Sequence, residues 1–160
     1  FSLTASAQEI NWMSFTEAVE ANKKEPRKFI IDVYTDWCGW CKRMDASTFS
    51  NAVIVDYINK NYYAVKMDGE YKKDIVFNDR TYKFVPRGRR GYHELPAELM
   101  GGKMSYPTIV YLDEDYGIIQ SIPGYRSAKD LEPIIKFFGE NAYKEMKWED
   151  FQKQHQSALN

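Results

Sequence analysis

The sequence predicts an α/β fold with a central mixed β-sheet flanked by helices. Segments with helical and strand patterns alternate along the 160 residues, which is typical of strands joined by helical connections. Two apolar stretches late in the chain are joined by EDYG, a hairpin signal that adds antiparallel strands to the sheet. A chain of this length buries one substantial core, so we expect one main domain.

The first half of the chain predicts a helix, a buried strand, further helix and a second strand. Ser14 and Glu17 have the spacing of a capping box, and apolar residues follow at helical intervals until Pro26. The stretch KFIIDVYT is β-branched and aromatic, which indicates a buried strand. CKRMDAS predicts a helix, NAVIVDYINKN continues it or forms a second one, and YYAVKMD predicts the next strand.

The second half begins with an irregular segment and ends with a hairpin and helices. Glycine, proline and charges accumulate in residues 69–92, so we expect an excursion with one short helix or strand. HELPAELM predicts a helix that tolerates Pro96 in its first turn. PTIVYLD and GIIQSIP predict the hairpin strands, and Ser127 opens the helix that follows. A last short helix, MKWEDFQKQHQ, is expected to be pinned by Trp148 and Phe151.

Charge and hydropathy argue against several classes of function. The formal net charge of −1 gives no reason to expect nucleic acid or a membrane surface as the main partner. No apolar run approaches the roughly 18 residues that span a bilayer, so we expect no stable membrane insertion.

The first residues indicate export. The small-x-small stretch at residues 5–7 is typical of a signal peptidase site, and cleavage there would leave Gln8 first. An ordinary frayed terminus is the alternative. We expect residues 1–7 to be a signal-peptide remnant, 8–160 to be a single domain, and the location to be periplasmic or otherwise extracytoplasmic, where disulfides persist.

Cys38 and Cys41, in TDWCGWCKRM, are the only cysteines of the chain. A structural zinc needs four ligands, and the only histidines, His93 and His155, have no metal-binding spacing. A c-type haem would need histidine where Lys42 stands. We therefore expect no metal and no cofactor. A disulfide that closes so short a loop stabilises little, because its effect grows with loop length.

The position of the pair at a strand–helix junction favours redox chemistry instead. Free N–H groups and the positive end of the helix dipole would lie near the Cys38 sulfur. They would lower the pKa of this thiol from about 8.5 toward neutrality. Cys41 follows one turn later, where it can attack a mixed disulfide formed through Cys38. We expect Cys38 to be the exposed nucleophile and Cys41 the buried resolving thiol.

Three stretches of the chain resemble the thioredoxin family. IIDVYTDWCGWCK resembles the active-site strand and motif, MSYPTIVYLD the cis-proline loop, and IPGYRSAKDLEPIIKFF the final hairpin exit and helix. WCGWCKRMDASTFSNAVI is similar to secreted thioredoxin-like proteins and to the C-terminal domain of the transmembrane periplasmic electron-transfer reductase. The resemblance covers about residues 14–138. It implies a thioredoxin-like fold with an insertion at about 69–92 before the cis-proline loop and a C-terminal helical extension at about 139–160.

The resemblance also implies the catalytic residues. Cys38 and Cys41 match the attacking and resolving cysteines, and Trp37 matches the tryptophan that shields the flank of the site. Asp32 matches the buried aspartate that takes the proton of the second cysteine; a strand residue facing water is the alternative. Lys66 matches the lysine beside this aspartate, with a solvated lysine at a strand end as the alternative.

A substrate-binding loop is implied in the same way. Pro107 matches the cis-proline, and the backbone of Tyr106 would hydrogen-bond an extended substrate chain as an added strand does. Gly124 would let that chain approach.

The dipeptide between the cysteines departs from the usual family pattern. Gly39 is kept, but Trp40 stands where most thioredoxins have proline. Trp40 brings no cation, so we expect a Cys38 pKa near about 7 rather than the roughly 3.5 of strong oxidants, which favours a reducing role. Trp40 either contacts partners or packs on the excursion.

The excursion is the larger departure, because it is basic. Arg87, Arg89, Arg90 and Tyr92 either belong to a solvated loop or help to choose an acidic partner. His93 is expected to start a helix rather than to take part in catalysis.

The expected function is that of a thiol–disulfide oxidoreductase that reduces disulfides of exported proteins. A membrane electron donor would restore its dithiol, and we expect a monomer. An oxidase or isomerase with the same site is one alternative. A non-catalytic module that holds extended peptides in the cis-proline groove is the other.

Overall fold

The structure, a computed structural model, describes residues 8–159, so the expected signal-peptide remnant at 1–7 lies outside the described residues. The first half of the chain contains α1 (Phe15–Lys24), β1 (Lys28–Tyr34), α2 (Gly39–Ala46), α3 (Ala52–Asn61) and β2 (Tyr62–Asp68). The middle contains β3 (Ile75–Phe77), β4 (Arg80–Tyr82), β5 (Phe84–Arg87), β6 (Arg90–His93) and α4 (Glu94–Leu99). The remainder contains β7 (Thr108–Leu112), β8 (Ile118–Pro123), α5 (Ala128–Gly139) and α6 (Trp148–Gln154), with short 3-10 turns at Thr48–Ser50 and Ala142–Lys144.

Four of these strands form the predicted mixed sheet, in the order β2-β1-β7-β8. Strand β1 is antiparallel to β7 and parallel to β2. The parallel pairing is possible because α2 and α3 return the chain to the starting end of the sheet before β2 begins. Strands β7 and β8 form the predicted hairpin. The parallel register places Asp32 of β1 beside Lys66 of β2, the first strand in this order.

The hydrophobic core lies on both faces of this sheet. Successive strand residues point to opposite faces, so Ile30 packs with α3 and α5 whereas Phe29 and Ile31 pack with α1 and α4. Every residue of β1 except Tyr34 is buried, which confirms the predicted buried strand. The predicted capping box of α1 is also present.

The expectation of one short helix or strand within residues 69–92 is wrong. The segment forms two hairpins, β3–β4 and β5–β6. Asn78 and Asp79 turn the first hairpin with φ of 50° and 60°, and Gly88 begins the second turn with φ of 62°. These positive φ values suit tight two-residue hairpin turns.

His93 starts a helix, as predicted. It is the N-cap of α4, and its Nδ1 accepts a hydrogen bond from the backbone N–H of Leu95 at 3.2 Å.

The C-terminal helix packs on α5 through aromatic side chains. The ring centroids of Trp148 and Phe151 lie 5.3 Å and 5.2 Å from that of Phe137, which confirms that both residues pin α6.

The chain beyond α6 is held by one buried carboxylate of α5. Glu132 accepts hydrogen bonds from the Ser157 hydroxyl at 2.6 Å and the Ala158 backbone N–H at 2.9 Å. Its carboxylate also lies 3.2 Å from Nε2 of His155 and 3.6 Å from the ammonium of Lys136. The last part of the described chain is thus tied to the body of the protein by polar contacts as well as by aromatic packing.

Candidate active site

The two cysteines lie at the start of α2, where the sequence places them. Cys38 is the N-cap residue, and its Sγ accepts a hydrogen bond from the backbone N–H of Cys41 at 3.1 Å. A disulfide joins them, with their Cα atoms 5.3 Å apart. The structure therefore holds the oxidised form of the pair, with the first sulfur at the positive end of the helix dipole.

The predicted exposure of Cys38 is wrong in this oxidised form. Cys38 is 5% exposed, hardly more than Cys41 at 2%. The physical reason is local: capping the helix and bonding to the buried Cys41 both turn the Cys38 sulfur toward α2 rather than toward solvent. The large exposed surfaces beside the disulfide belong to Trp37 and Trp40, at 52% and 55%.

Trp37 is fixed by the middle segment of the chain. Its indole N–H donates to Glu70 at 2.9 Å, and its ring meets that of Tyr106 edge-on at a centroid distance of 5.8 Å. The guanidinium of Arg90 lies 4.8 Å from the Trp37 ring centroid and 3.7 Å from the Glu70 carboxylate. The resemblance implies a shielding role for Trp37 but does not point to Glu70, and Arg90 is expected only as a solvated or partner-contacting residue, not as a neighbour of Trp37.

Trp40 lies on the other side of the disulfide motif. Its ring packs on Tyr125 at 5.4 Å, and the Arg43 guanidinium lies 5.1 Å from its centroid. These contacts are not with the excursion, so the alternative in which Trp40 packs there is wrong. The exposed indole is available for contact with partners.

The residues predicted to bind substrate converge on one groove. The Tyr106–Pro107 peptide bond is cis, as the resemblance implies. The backbone N–H of Gly124 donates to the carbonyl of Pro107 at 2.8 Å, and Gly124 has a φ of 97°, which a residue with a side chain rarely adopts. Trp40 and Tyr125 complete the lining of this groove, whose volume is about 300 Å³.

Asp32 and Lys66 form the expected pair, extended by a third residue. The Lys66 ammonium lies 2.5 Å from Oδ2 of Asp32 and 2.5 Å from Oδ1 of Asp45. Asp32 is 1% exposed, Lys66 is partly buried and Asp45 is exposed. The alternatives of a water-facing aspartate and a solvated lysine are therefore wrong. The other Asp32 oxygen, Oδ1, is buried and accepts no hydrogen bond from any residue in the described part of the chain.

Burial dominates the electrostatics of this group. It raises the pKa of Asp32 from 3.8 to about 6, although the neighbouring Lys66 charge acts in the opposite direction. For Lys66, burial alone would lower the pKa, but the Asp32 and Asp45 carboxylates outweigh it and raise the pKa above 10.5. Asp32 can thus gain or lose a proton near neutral pH, whereas Lys66 stays cationic.

Aromatic rings hold the Lys66 ammonium from further sides. The Trp12 and Tyr34 ring centroids each lie 5.0 Å from Nζ, and that of Phe49 lies at 5.7 Å. Such ring faces attract a cation and fix its position between the two carboxylates.

Residues 8–159 contain neither a candidate metal cluster nor a candidate membrane-spanning helix. This part of the chain brings no three His, Cys, Asp or Glu side chains together in a way that could hold a metal ion. It also contains no helix with the length and apolar character needed to cross a membrane.

The mixed sheet, the cysteine pair at a helix start and the adjoining cis-proline define a thioredoxin-like protein. The chain belongs to the family Thioredox_DsbH, described as a protein of unknown function, DUF255, which matches residues 1–120. Spermatogenesis-associated protein 20 of Rattus norvegicus is 30% identical over 74 residues. The match covers 46% of this chain but only 9% of the rat protein.

Comparison with solved structures gives the same fold. A DsbH oxidoreductase superposes with a TM-score of 0.59 at 17% identity, over 91% of this chain and 92% of its own. A thioredoxin-fold protein from Helicobacter pylori gives 0.61 at 19% identity, over 89% and 83%. Fold, family and the close Cys38–Cys41 pair together support thiol–disulfide oxidoreductase chemistry in general terms, without fixing its direction.

Proposed function

We propose that the protein reduces disulfide bonds in exported proteins through the Cys38–Cys41 dithiol. The observation that carries the proposal is the placement of Cys38: it caps α2, is bonded to Cys41, and is flanked by Trp40 of the cis-proline groove. A helix N-terminus favours a thiolate, and the groove offers a place for an extended partner chain.

The first step is attack on the partner by the reduced enzyme. The Cys38 thiolate bonds to one sulfur of the partner disulfide, and the other partner sulfur leaves and takes up a proton. The product is a mixed disulfide between Cys38 and the partner. In this complex the partner backbone lies along Tyr106 and Pro107, and Gly124 leaves room for it.

The second step releases the partner. Asp32 accepts the proton of the Cys41 thiol, and the resulting thiolate attacks the Cys38 sulfur. The second partner sulfur leaves as a thiolate and is protonated, so the partner has gained two electrons and two protons. The enzyme is left with the Cys38–Cys41 disulfide found in the structure. A pKa of about 6 suits Asp32 to this proton transfer near neutral pH.

The direction of electron flow is proposed from the motif. Neither Gly39 nor Trp40 supplies a cation between the cysteines, so the Cys38 thiolate is stabilised mainly by the helix start. A moderately stabilised thiolate favours a reductant over a strong oxidant. The dithiol is then restored by an external thiol donor, for which we propose a membrane electron carrier.

The setting of this chemistry is part of the proposal. We place the protein in the periplasm or another extracytoplasmic space, as a monomer that acts on disulfide-containing exported proteins. Residues 8–160 form one thioredoxin-like domain, with the insertion at about 69–92 and the extension from about 139 as parts of it. The two core clusters support this, because both pack on β1.

Turnover with a disulfide-linked test protein and a small dithiol as donor tests the proposal. The native protein should accelerate reduction, Cys38→Ser should abolish it, and Cys41→Ala should accumulate a mixed disulfide visible on a non-reducing gel. A reduction potential of about −270 mV supports a reductase, whereas one of about −120 mV indicates an oxidase. Absence of turnover by the intact protein would leave the peptide-binding module as the better description.

A further inference from the structure

The β5–β6 hairpin concentrates positive charge. Residues 83–93, KFVPRGRRGYH, contain four cationic side chains and no carboxylate, in a chain whose formal net charge is −1. Lys83 is paired with Asp74 at 2.8 Å, and Arg90 lies 3.7 Å from Glu70.

The two remaining arginines of the hairpin, Arg87 and Arg89, are exposed. Within residues 8–159, neither has a carboxylate within 4.0 Å. The Arg87 guanidinium lies 5.7 Å from the Tyr92 ring centroid, a contact that leaves its N–H groups open, so both guanidinium groups can bind an incoming anion.

The turn of this hairpin lies beside Trp37, the residue that precedes Cys38. The strands pair from Phe84 opposite His93 to Arg87 opposite Arg90, so Arg87, Arg89 and Arg90 all lie at the turn end. Arg90 contacts the ring of Trp37, the residue that precedes Cys38, at 4.8 Å. A partner that brings its disulfide to Cys38 therefore also meets the turn of the hairpin.

The other end of the hairpin is firmly held. The backbone N–H of His93 donates to the carbonyl of Gly69 at 2.8 Å, and Nε2 of His93 lies 2.9 Å from the carbonyl of Lys73. His93 is fully buried, and the Phe84 ring lies under the ammonium of Lys72 at 3.6 Å. A hairpin fixed in this way presents its arginines with little further loss of conformational entropy on binding.

We propose that this hairpin is a docking surface that selects disulfide partners with Asp or Glu residues next to the disulfide. The inference rests on the proposed function and adds the partner class to it. Guanidinium groups bind carboxylates through paired, charge-assisted hydrogen bonds, and clustered charge of one sign accelerates encounter with the opposite sign. The groove side also carries a cation, because the Arg43 guanidinium lies 5.1 Å from the Trp40 ring, so charge reversal at Arg87 and Arg89 is needed to isolate the contribution of the hairpin.

Two synthetic peptides test this directly. Both carry the same intramolecular disulfide; one is flanked by glutamates and the other by glutamines at the same positions. The value of kcat/KM for reduction of each peptide is measured at low and at high salt. The native protein should prefer the acidic peptide by about fivefold at low ionic strength, and the preference should shrink as salt is added.

A double charge reversal and a matched control assign the preference to the hairpin. Arg87→Glu with Arg89→Glu should abolish or invert the preference. The control, Lys24→Glu with Lys60→Glu, makes the same change in net charge. These lysines lie at the ends of α1 and α3, close to the first residues of β1 and β2, whereas the disulfide follows the last residues of β1. This control should keep the preference, and thermal unfolding should show that both double variants are folded.

Binding separates failure of this inference from failure of the proposed function. Linear peptides with serine in place of both cysteines cannot react, and their affinities are read from tryptophan fluorescence. The native protein and the lysine control should bind the acidic serine peptide more tightly than the neutral one, and the hairpin variant should not. This result supports the docking surface even if the protein reduces no disulfide. Equal affinity for both serine peptides, or a preference unchanged by reversal of Arg87 and Arg89, overturns it.

Discussion

Replacement of Asp32 by asparagine should stabilise the protein at neutral pH while slowing its chemistry. Burial raises the pKa of Asp32 to about 6, so the folded state holds this proton more tightly than the unfolded chain does. The contribution of this bound proton to the free energy of unfolding is fully present below about pH 3.8 and is lost as the pH rises through about 6. At pH 7 the folded protein therefore carries a buried carboxylate at a net cost.

The size of this cost follows from the pKa shift. A rise from 3.8 to about 6 corresponds to roughly 3 kcal/mol between the ionised and neutral forms. The attraction of Lys66 is already contained in this shift, because it opposes the effect of burial. Asparagine has nearly the same shape and no charge, so Asp32→Asn should gain up to about 3 kcal/mol at pH 7.

Urea unfolding of the oxidised proteins at pH 7 and at pH 3.5 measures the effect. The stability difference between Asp32→Asn and the native protein should be large at pH 7 and close to zero at pH 3.5. Asp45→Asn is the matched control, because it removes the other carboxylate bound to Lys66 at an exposed position. It should change stability by less than about 1 kcal/mol at either pH.

Three results would refute this reasoning. Destabilisation by Asp32→Asn at pH 7 would mean that the ion pair with Lys66 outweighs burial. An equal gain in the stability of Asp32→Asn at pH 7 and at pH 3.5 would mean that the gain arises from packing rather than from charge. A gain in Asp45→Asn as large as that in Asp32→Asn would show that release of Lys66, not burial of Asp32, is responsible.

Three further predictions concern proton transfer, the groove and the tail. The rate of the resolving step in single-turnover experiments should rise with pH through about 6, and Asp32→Asn should flatten this part of the profile. In Gly69→Ala the new Cβ would lie 2.5 Å from the ring of Tyr106 and should displace it, which should lower kcat/KM for disulfide reduction roughly tenfold. An unchanged kcat/KM would show that the position of the Tyr106 ring does not matter for substrate binding. Glu132→Ala should cost about 2 kcal/mol in urea unfolding and speed amide hydrogen exchange in residues 155–159, whereas exposed Glu149→Ala should do neither.

The sheet and the cysteine helix could be predicted because their signals are local. The apolar run of β1, the capping box of α1 and the position of Cys38 at a helix start all depend on neighbours in the sequence. The two hairpins of the middle segment were missed, although Asn78-Asp79 and Gly88-Arg89 are suitable turn pairs. Their strands are only three or four residues long and mix apolar residues with Arg80, Arg87 and Arg90, so they lack the extended apolar alternation that marks a strand.

The rest of the site depends on contacts between distant parts of the chain. Glu70 and Arg90 reach Trp37 only because the middle segment folds back on the cysteine motif. The position of Asp45 near the site could have been predicted, because Asp45 lies four residues after Cys41 on α2 and therefore on the same face of the helix. The buried state of Cys38 follows from the geometry of capping and of the disulfide, which residue spacing does not show.

The two ends of the β5–β6 hairpin are neighbours, since Phe84 pairs with His93, whereas the cysteines and the Asp32–Lys66 pair belong to α2 and the sheet. The hairpin can therefore be replaced by that of a relative without changing the residues of the disulfide or of the Asp32–Lys66 pair. On the proposed docking role, partner recognition belongs to the hairpin and electron transfer to α2 and the sheet, and the two parts of the chain meet where Arg90 contacts Trp37. A graft of this loop onto a related scaffold should transfer the preference for acidic partners, and any change in the reduction potential of the recipient should trace to Arg90, the hairpin residue that contacts Trp37.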